Sequence, residues 1–320
     1  MLIFAENWKY PLASHGLLVQ RQTTLNQIHN LITTLFITKK LKLKFMATNA
    51  KAAAPAKTSG FTGMKNAWII LVICCVLGYC VWYFVMGNPD NFIGGDRSGH
   101  PANLLGTVYK GGFVVGLILT LLFTVICLGF ERFFAIRTAS GKMNLAKFTA
   151  QVKDAIKAQK FDEAKALCNK MQGSVGNVVL STINMYQTVE TDSTLKKAAK
   201  IAKIQQAHEE ATQLEMPTLQ MNMPMVATIV SLGTLTALFG TVLGMIGSFQ
   251  ALSAGGGADS MALSAGISEA LVNTASGILT SWVATVVYNF FSNKIDKLTY
   301  AMDEIGFTVA ATYDSNHNEA

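Results

Sequence analysis

Apolar positions gather into four stretches, residues 67–86, 113–134, 225–252 and 261–291. Each is long enough to cross a hydrocarbon core, for which a helix needs about 20 residues. Between the second and third stretches the pattern changes to a helical period. Leu145, Phe148, Val152 and Ile156 share one face, and Phe161, Ala164, Leu167, Cys168 and Met171 share another, with Lys and Asp between them. Two amphipathic helices are predicted from that spacing. Gly173 and Gly176 interrupt the period, residues 178–186 resume it, and Asp192 or Ser193 stands where a cap would open a long helix through Glu215. The polar stretch 195–214 reads as an extension of the third span beyond the membrane. After the fourth span, Ile295, Leu298, Met302 and Ile305 carry the helix toward a polar tail from Asp314. The expected fold class is all-α: an integral membrane protein with four transmembrane helices and long cytoplasmic helical extensions.

Composition agrees with the pattern. The chain is 51% hydrophobic and 14% charged, against about 25% charged in soluble domains. Basic residues set the orientation, because they favour the cytoplasm near helix ends. Lys39, Lys40, Lys42, Lys44, Lys51, Lys57 and Lys65 precede the first span, and thirteen Lys and Arg lie between Arg132 and Lys203. The loop 87–112 holds only Arg97 and Lys110, and the turn 253–260 holds none. Both termini are therefore expected inside. The net charge of +7 is then topogenic, suited to anionic lipid; no aromatic-interleaved patch or recognition motif points to nucleic acid.

The expected organisation is a disordered or overextended cytoplasmic tail at 1–65, with Met46 as a candidate start, and a first transmembrane helix at 66–87. A periplasmic loop at 88–110 leads to a transmembrane helix at 111–135 and a cytoplasmic helical domain at 136–222. Two pore-lining helices at 223–252 and 261–292 flank a periplasmic turn at 253–260, and 293–320 forms a cytoplasmic helix and tail. Glu131, Arg132 and Arg137 read as headgroup anchors whose long side chains snorkel. Cys74, Cys75, Cys80 and Cys127 lie in spans and Cys168 outside them, so they read as small apolar fillers. Asp90, Asp96 and His100 share no ligand spacing, and His208-Glu209-Glu210 lacks the second His of a zinc helix, with Thr212 in its place. No metal and no cofactor is expected.

The candidate chemistry centres on Glu269, the one charged residue in 261–291. A carboxylate at membrane depth costs about 3 kcal/mol on insertion scales and marks a functional site by default. Asn273, Ser276, Gly277 and Thr280 continue a polar stripe from it at helical spacing, with Thr274 at its edge. The third span carries Gly233, Ala237, Gly240, Gly244 and Gly247, a small-residue face for close packing. Beside that face run Ser231, Thr234, Thr241 and Ser248, hydroxyls that either bond their own backbone or line a hydrated passage. A short turn makes the two helices antiparallel neighbours, so the stripes can share a narrow lumen, with Glu269 opposite Thr241.

Leu238-Phe239-Gly240-Thr241-Val242 with Gly244-Met245, and Gly266-Ile267-Ser268-Glu269-Ala270-Leu271-Val272-Asn273-Thr274-Ala275 with Gly277, resemble the MotA/TolQ/ExbB proton channel family, closest to ExbB and TolQ. The resemblance covers about residues 111–300 and includes Glu131-Arg132 and Tyr288-Asn289. It implies a non-enzymatic motor subunit of a Gram-negative inner membrane. The subunit would form a homopentameric ring around an ExbD-like single-span protein carrying a membrane Asp, and deliver energy to a TonB-like protein for outer-membrane transport. Glu269, Thr241, Thr274 and Asn273 would lie on the proton pathway, and Gly240, Gly244 and Gly277 would pack the helices. A TolQ-like role in envelope maintenance and a non-conducting scaffold stay open. Thr234 and Val283 stand where many relatives have proline, and the first span is an addition to the usual three, expected on the outside of the ring.

Overall fold

The computed structural model describes residues 67–97, 99–254 and 260–317, all within one compact unit, Lys57–Ala320. The expectations for residues 1–65 and for the turn around 255–259 lie outside the described residues. Helix α1 (Ala67–Cys80) ends in a π-helical turn, Val81–Met86, and a short helix α2 (Leu104–Tyr109) follows in the loop. The second long helix, α3 (Phe113–Ala139), leads to α4 (Leu145–Lys157), α5 (Phe161–Met171), α6 (Ser174–Thr191) and α7 (Lys197–Gln220). Helices α8 (Met223–Ala254) and α9 (Ser260–Asn316) complete the chain. Four of these, with α1 counted through its π turn, are long and apolar enough to cross a membrane.

The first span packs against α3 where glycine removes the side chain. A Cβ on Gly78 would stand 2.9 Å from the Thr120 nitrogen, and one on Gly116 would stand 2.7 Å from the Tyr79 ring. The outer face of α1 is bare: Trp68, Val72, Ile73 and Val76 are exposed, as lipid contact requires. At the loop end Trp82 stacks on Tyr109 at 4.9 Å, and Arg97 lies 4.6 Å above the Tyr83 ring. The loop is better organised than a string of turn residues predicts. Asn91 donates to the Val85 and Met86 carbonyls and accepts from Asn103 at 2.8 Å, closing the end of the π turn over a buried Phe92.

Beyond the membrane, α4 to α7 and the far half of α9 form a helical bundle. Its core holds Phe148, Val152, Ile156, Ala164, Cys168 and Met171 from the periodic helices and Val178, Ile183 and Tyr186 from α6. Ile295, Leu298, Met302, Ile305 and Tyr313 of α9 close it. Burial pushes the Cys168 thiol up to about 12, so it stays protonated and inert. His208 of α7 lies where a Cβ on Gly306 would stand, its Nδ1 within 3.2 Å of the Thr182 hydroxyl. The helix placed after Asp192 begins five residues later, at Lys197. Asp192 instead accepts from the Thr194 backbone and hydroxyl, a local turn that holds its carboxyl below the usual range.

One sequence expectation reverses at the foot of α3. Glu131 and Arg132 do not snorkel: they are 8% and 0% exposed, and Arg132 donates side-on from Nε and Nη2 to the two Glu131 carboxylate oxygens. Arg132 Nη1 also reaches the Thr218 carbonyl at 3.4 Å, and Asn222 Nδ2 donates to Glu131 at 3.3 Å. The pair therefore sits under the break between α7 and α8, where Asn222 has φ +62°. Arg137, one turn further, is exposed, as an anchor should be.

Candidate functional site

Helix α8 and the membrane half of α9 form a hairpin whose line of contact is made of small residues. Gly233 faces Gly277 and Ser281, Gly244 faces Gly266 and Ala270, and Gly277 faces Ala237. A Cβ on Gly244 would stand 2.9 Å from the Gly266 carbonyl oxygen, so the two backbones are nearly in contact. In lipid such close approach supplies the association energy that the hydrophobic effect does not. A Cβ on Gly240 would collide with Asn273 at 2.7 Å. Glycine at 240 is what admits the Asn273 side chain to the seam.

Two hydroxyl rungs cross one edge of this seam, seven residues apart on each helix. Thr234 meets Ser281 at 2.9 Å, and Thr241 meets Thr274. Thr241 and Thr274 also face the carbonyls of Ala237 and Ala270 one turn back. Each hydroxyl has one hydrogen, so one threonine donates across the seam while the other can donate to its own helix, and the roles can exchange. Both threonines are half-buried; this edge of the hairpin is open. Ser248 is not part of it, being fully buried and bonded to the Gly244 carbonyl.

The structure separates the remaining candidates from that edge. Asn273 is 0% exposed, and neither atom of its amide has a hydrogen-bond partner among the described residues. Ser276 and Thr280 bond to their own helix. Glu269 is not opposite Thr241. The five residues from Glu269 to Thr274 turn the helix by about 140°, and the carboxylate lies instead against the start of α3. A Cβ on Gly112 would stand 2.5 Å from Glu269 Oε1, and one on the adjoining Gly111 would stand 2.9 Å from Val272. Gly112 caps α3 with φ +74°, so the carboxylate faces the positive end of the second span, a favourable place for negative charge.

Sequence reading missed Gly112 because nothing in a Gly-Gly pair reports a neighbour 157 positions away; its one signal was a glycine immediately before an apolar run. Replacing it is expected to couple to Glu269. Gly112→Ala adds backbone strain of about 1–3 kcal/mol, because φ +74° with ψ −165° is a region essentially confined to glycine, and puts a methyl where Oε1 lies. In a double-mutant cycle with Glu269→Ala, thermal stability in detergent should show a coupling of about 1 kcal/mol. Additive losses would mean that the carboxylate and Gly112 do not meet.

These features define a polytopic helical membrane protein in which an apolar hairpin carries hydroxyls along one edge and a carboxylate along the opposite side. Residues 176–304 match the model of the MotA/TolQ/ExbB proton channel family. It is 38% identical over 84 residues to the putative biopolymer transport protein ExbB-like 3 of Synechocystis sp., covering 26% of this chain and 40% of that protein. It is 30% identical over 118 residues to the Tol-Pal system protein TolQ of Pseudomonas aeruginosa, covering 37% and 48%. Over 89 residues it is 33% identical to the biopolymer transport protein ExbB of Xanthomonas campestris pv. campestris, covering 28% and 35%. The chain thus spans less than half the length of each of these curated relatives.

Proposed function

We propose that the protein is an ExbB-like proton-channel subunit, which works with an ExbD-like single-span partner to couple the proton motive force to TonB-dependent outer-membrane transport. The observation that carries this reading is the open hydroxyl edge. Thr241 and Thr274 form a rung whose hydrogen can be redirected, half-exposed along an apolar hairpin whose carboxylate, Glu269, lies on the opposite side. One chain offers only a wall. A homopentameric ring turns that wall into a lumen, with the partner's membrane Asp as the titrating acid and Thr241 and Thr274 facing it. Glu269, set against the second span, tunes the path from the side and does not carry the proton. The bundle is cytoplasmic in this reading, both termini are inside, and the membrane is the inner membrane of a Gram-negative cell. The reading needs no cofactor and no enzymatic step.

A TolQ-like role in envelope maintenance is the second reading, favoured by the 30% identity to TolQ over 118 residues. Proton flux into liposomes tests both. Purified protein reconstituted with a single-span, Asp-bearing partner should acidify the vesicle lumen under an imposed gradient, and the protein alone should not. Absence of flux with the partner present leaves a non-conducting scaffold. Deleting the gene then sorts the motors: lost siderophore-type uptake marks the ExbB role, and detergent sensitivity with intact uptake marks the TolQ role.

A further inference from the structure

The first and second spans bring two cysteines together that the proton path does not use. Cys74 Sγ of α1 and Cys127 Sγ of α3 are 3.7 Å apart. Cys74 lies one turn from Gly78, and Cys127 two turns from Thr120, the residue that Gly78 meets. Cys74 is 3% exposed and packs with Ile70, Leu128 and Val226, whereas Cys127 is exposed on the outer surface of α3. Cys75 and Cys80 belong to the same helix as Cys74 but are turned by about 100° and 240° from it, away from this contact. Cys168 lies in the bundle core.

We propose that Cys74 and Cys127 form a redox-active dithiol, oxidised to a disulfide by a lipid-soluble quinone. Three observations converge on it. The sulfurs are already in van der Waals contact, so a small rotation of either side chain brings them to bonding distance. Glycine contacts between the same two helices, Gly78 with Thr120 and Gly116 with Tyr79, hold them close beside the pair. Cys74 lies seven residues into its span and Cys127 fourteen residues into α3, which puts both at about 10–20 Å along their helices, within the hydrocarbon. Water-borne oxidants do not reach that depth; a quinone dissolves in it.

The asymmetry of exposure assigns the roles. The lipid-facing Cys127 sulfur adds to the quinone ring, its proton passing to a quinone oxygen. The Cys74 sulfur, behind it, then attacks the Cys127 sulfur, so the S–S bond forms as the bond to the ring breaks. The Cys74 proton and the bonding pair leave with the hydroquinone. Two thiols and one quinone become one disulfide and one hydroquinone, with two electrons and two protons transferred. The product fastens the first span to the second.

The test uses the full chain in membranes. Vesicles are incubated with decylubiquinone or with ferricyanide, quenched in acid, denatured and labelled with a maleimide of known mass. The chain has five cysteines; quinone should lower the labelled number by two, with peptide mapping joining Cys74 to Cys127 and a reductant restoring full labelling. Ferricyanide should leave all five labelled. Cys74→Ser and Cys127→Ser should each abolish the quinone effect, and Cys75→Ser should not. Full labelling after quinone, a disulfide mapped to Cys75 or Cys80, a bond between two chains, or equal oxidation by ferricyanide would each overturn the proposal.

Discussion

Thr274→Val is expected to reduce proton-driven uptake to background while leaving insertion and assembly intact. The magnitudes separate the two outcomes. A hydroxyl bond between membrane helices is worth about 0.6 kcal/mol on average and under about 2 kcal/mol at most. The hairpin keeps the glycine contacts at Gly233, Gly244 and Gly277 and the second rung at Thr234 and Ser281. Valine has nearly the shape of threonine, so losing one rung does not open the seam. What valine lacks is the hydrogen that exchanges between Thr241 and Thr274. Glu269→Ala should also abolish uptake, for the different reason that the charge beside Gly112 is gone. Energised uptake in cells lacking the native protein measures the loss, and membrane levels measured in parallel confirm assembly. Full activity in both variants would remove Glu269 and Thr274 from the mechanism.

The second large effect is structural. Arg132→Met should destabilise the protein by about 3–5 kcal/mol, because it leaves the Glu131 carboxylate buried without its guanidinium. The neutral donor from Asn222, at 3.3 Å, does not replace two charge-assisted bonds. The double variant Glu131→Gln with Arg132→Met should recover most of that loss, since a buried ion pair taken out as a whole is often close to neutral. Thermal unfolding in detergent reports both numbers. A double variant as unstable as the single one would locate the damage elsewhere, in the Arg132 contact to the Thr218 carbonyl.

The four spans were legible because apolar length is a one-dimensional property. The bundle helices were legible through Phe148, Val152 and Ile156, whose spacing follows from the helical turn alone. The break at Met221 and Asn222 was not read. It depends on an Asn in the left-handed region, a conformation that Asn adopts more readily than most residues but does not announce. Glu131 and Arg132 were misread for a related reason: an adjacent acid and base at the end of a span look like a surface, and only the return of Thr218 and Asn222 buries them. In the site, the stripe from Glu269 through Asn273 to Thr280 was visible, yet its direction was not. Helical spacing says which residues share a face, but the helices packed on either side decide what that face meets. Here Gly112 takes one flank and Gly240 the other.

Helix α9 runs unbroken for 57 residues, from Ser260 to Asn316, about 85 Å at the helical rise. Its near end carries Thr274 and its far end is gripped by the bundle at Ile305 and Tyr313. A beam of that length has no soft joint at which to lose an angle. A tilt of about 2° imposed on the bundle is a sideways displacement of about 3 Å at the opposite tip, comparable with the length of one hydrogen bond. The same stiffness runs in reverse, so that a change at the hydroxyl rung is felt where the Tyr313 ring meets Tyr186 edge-on.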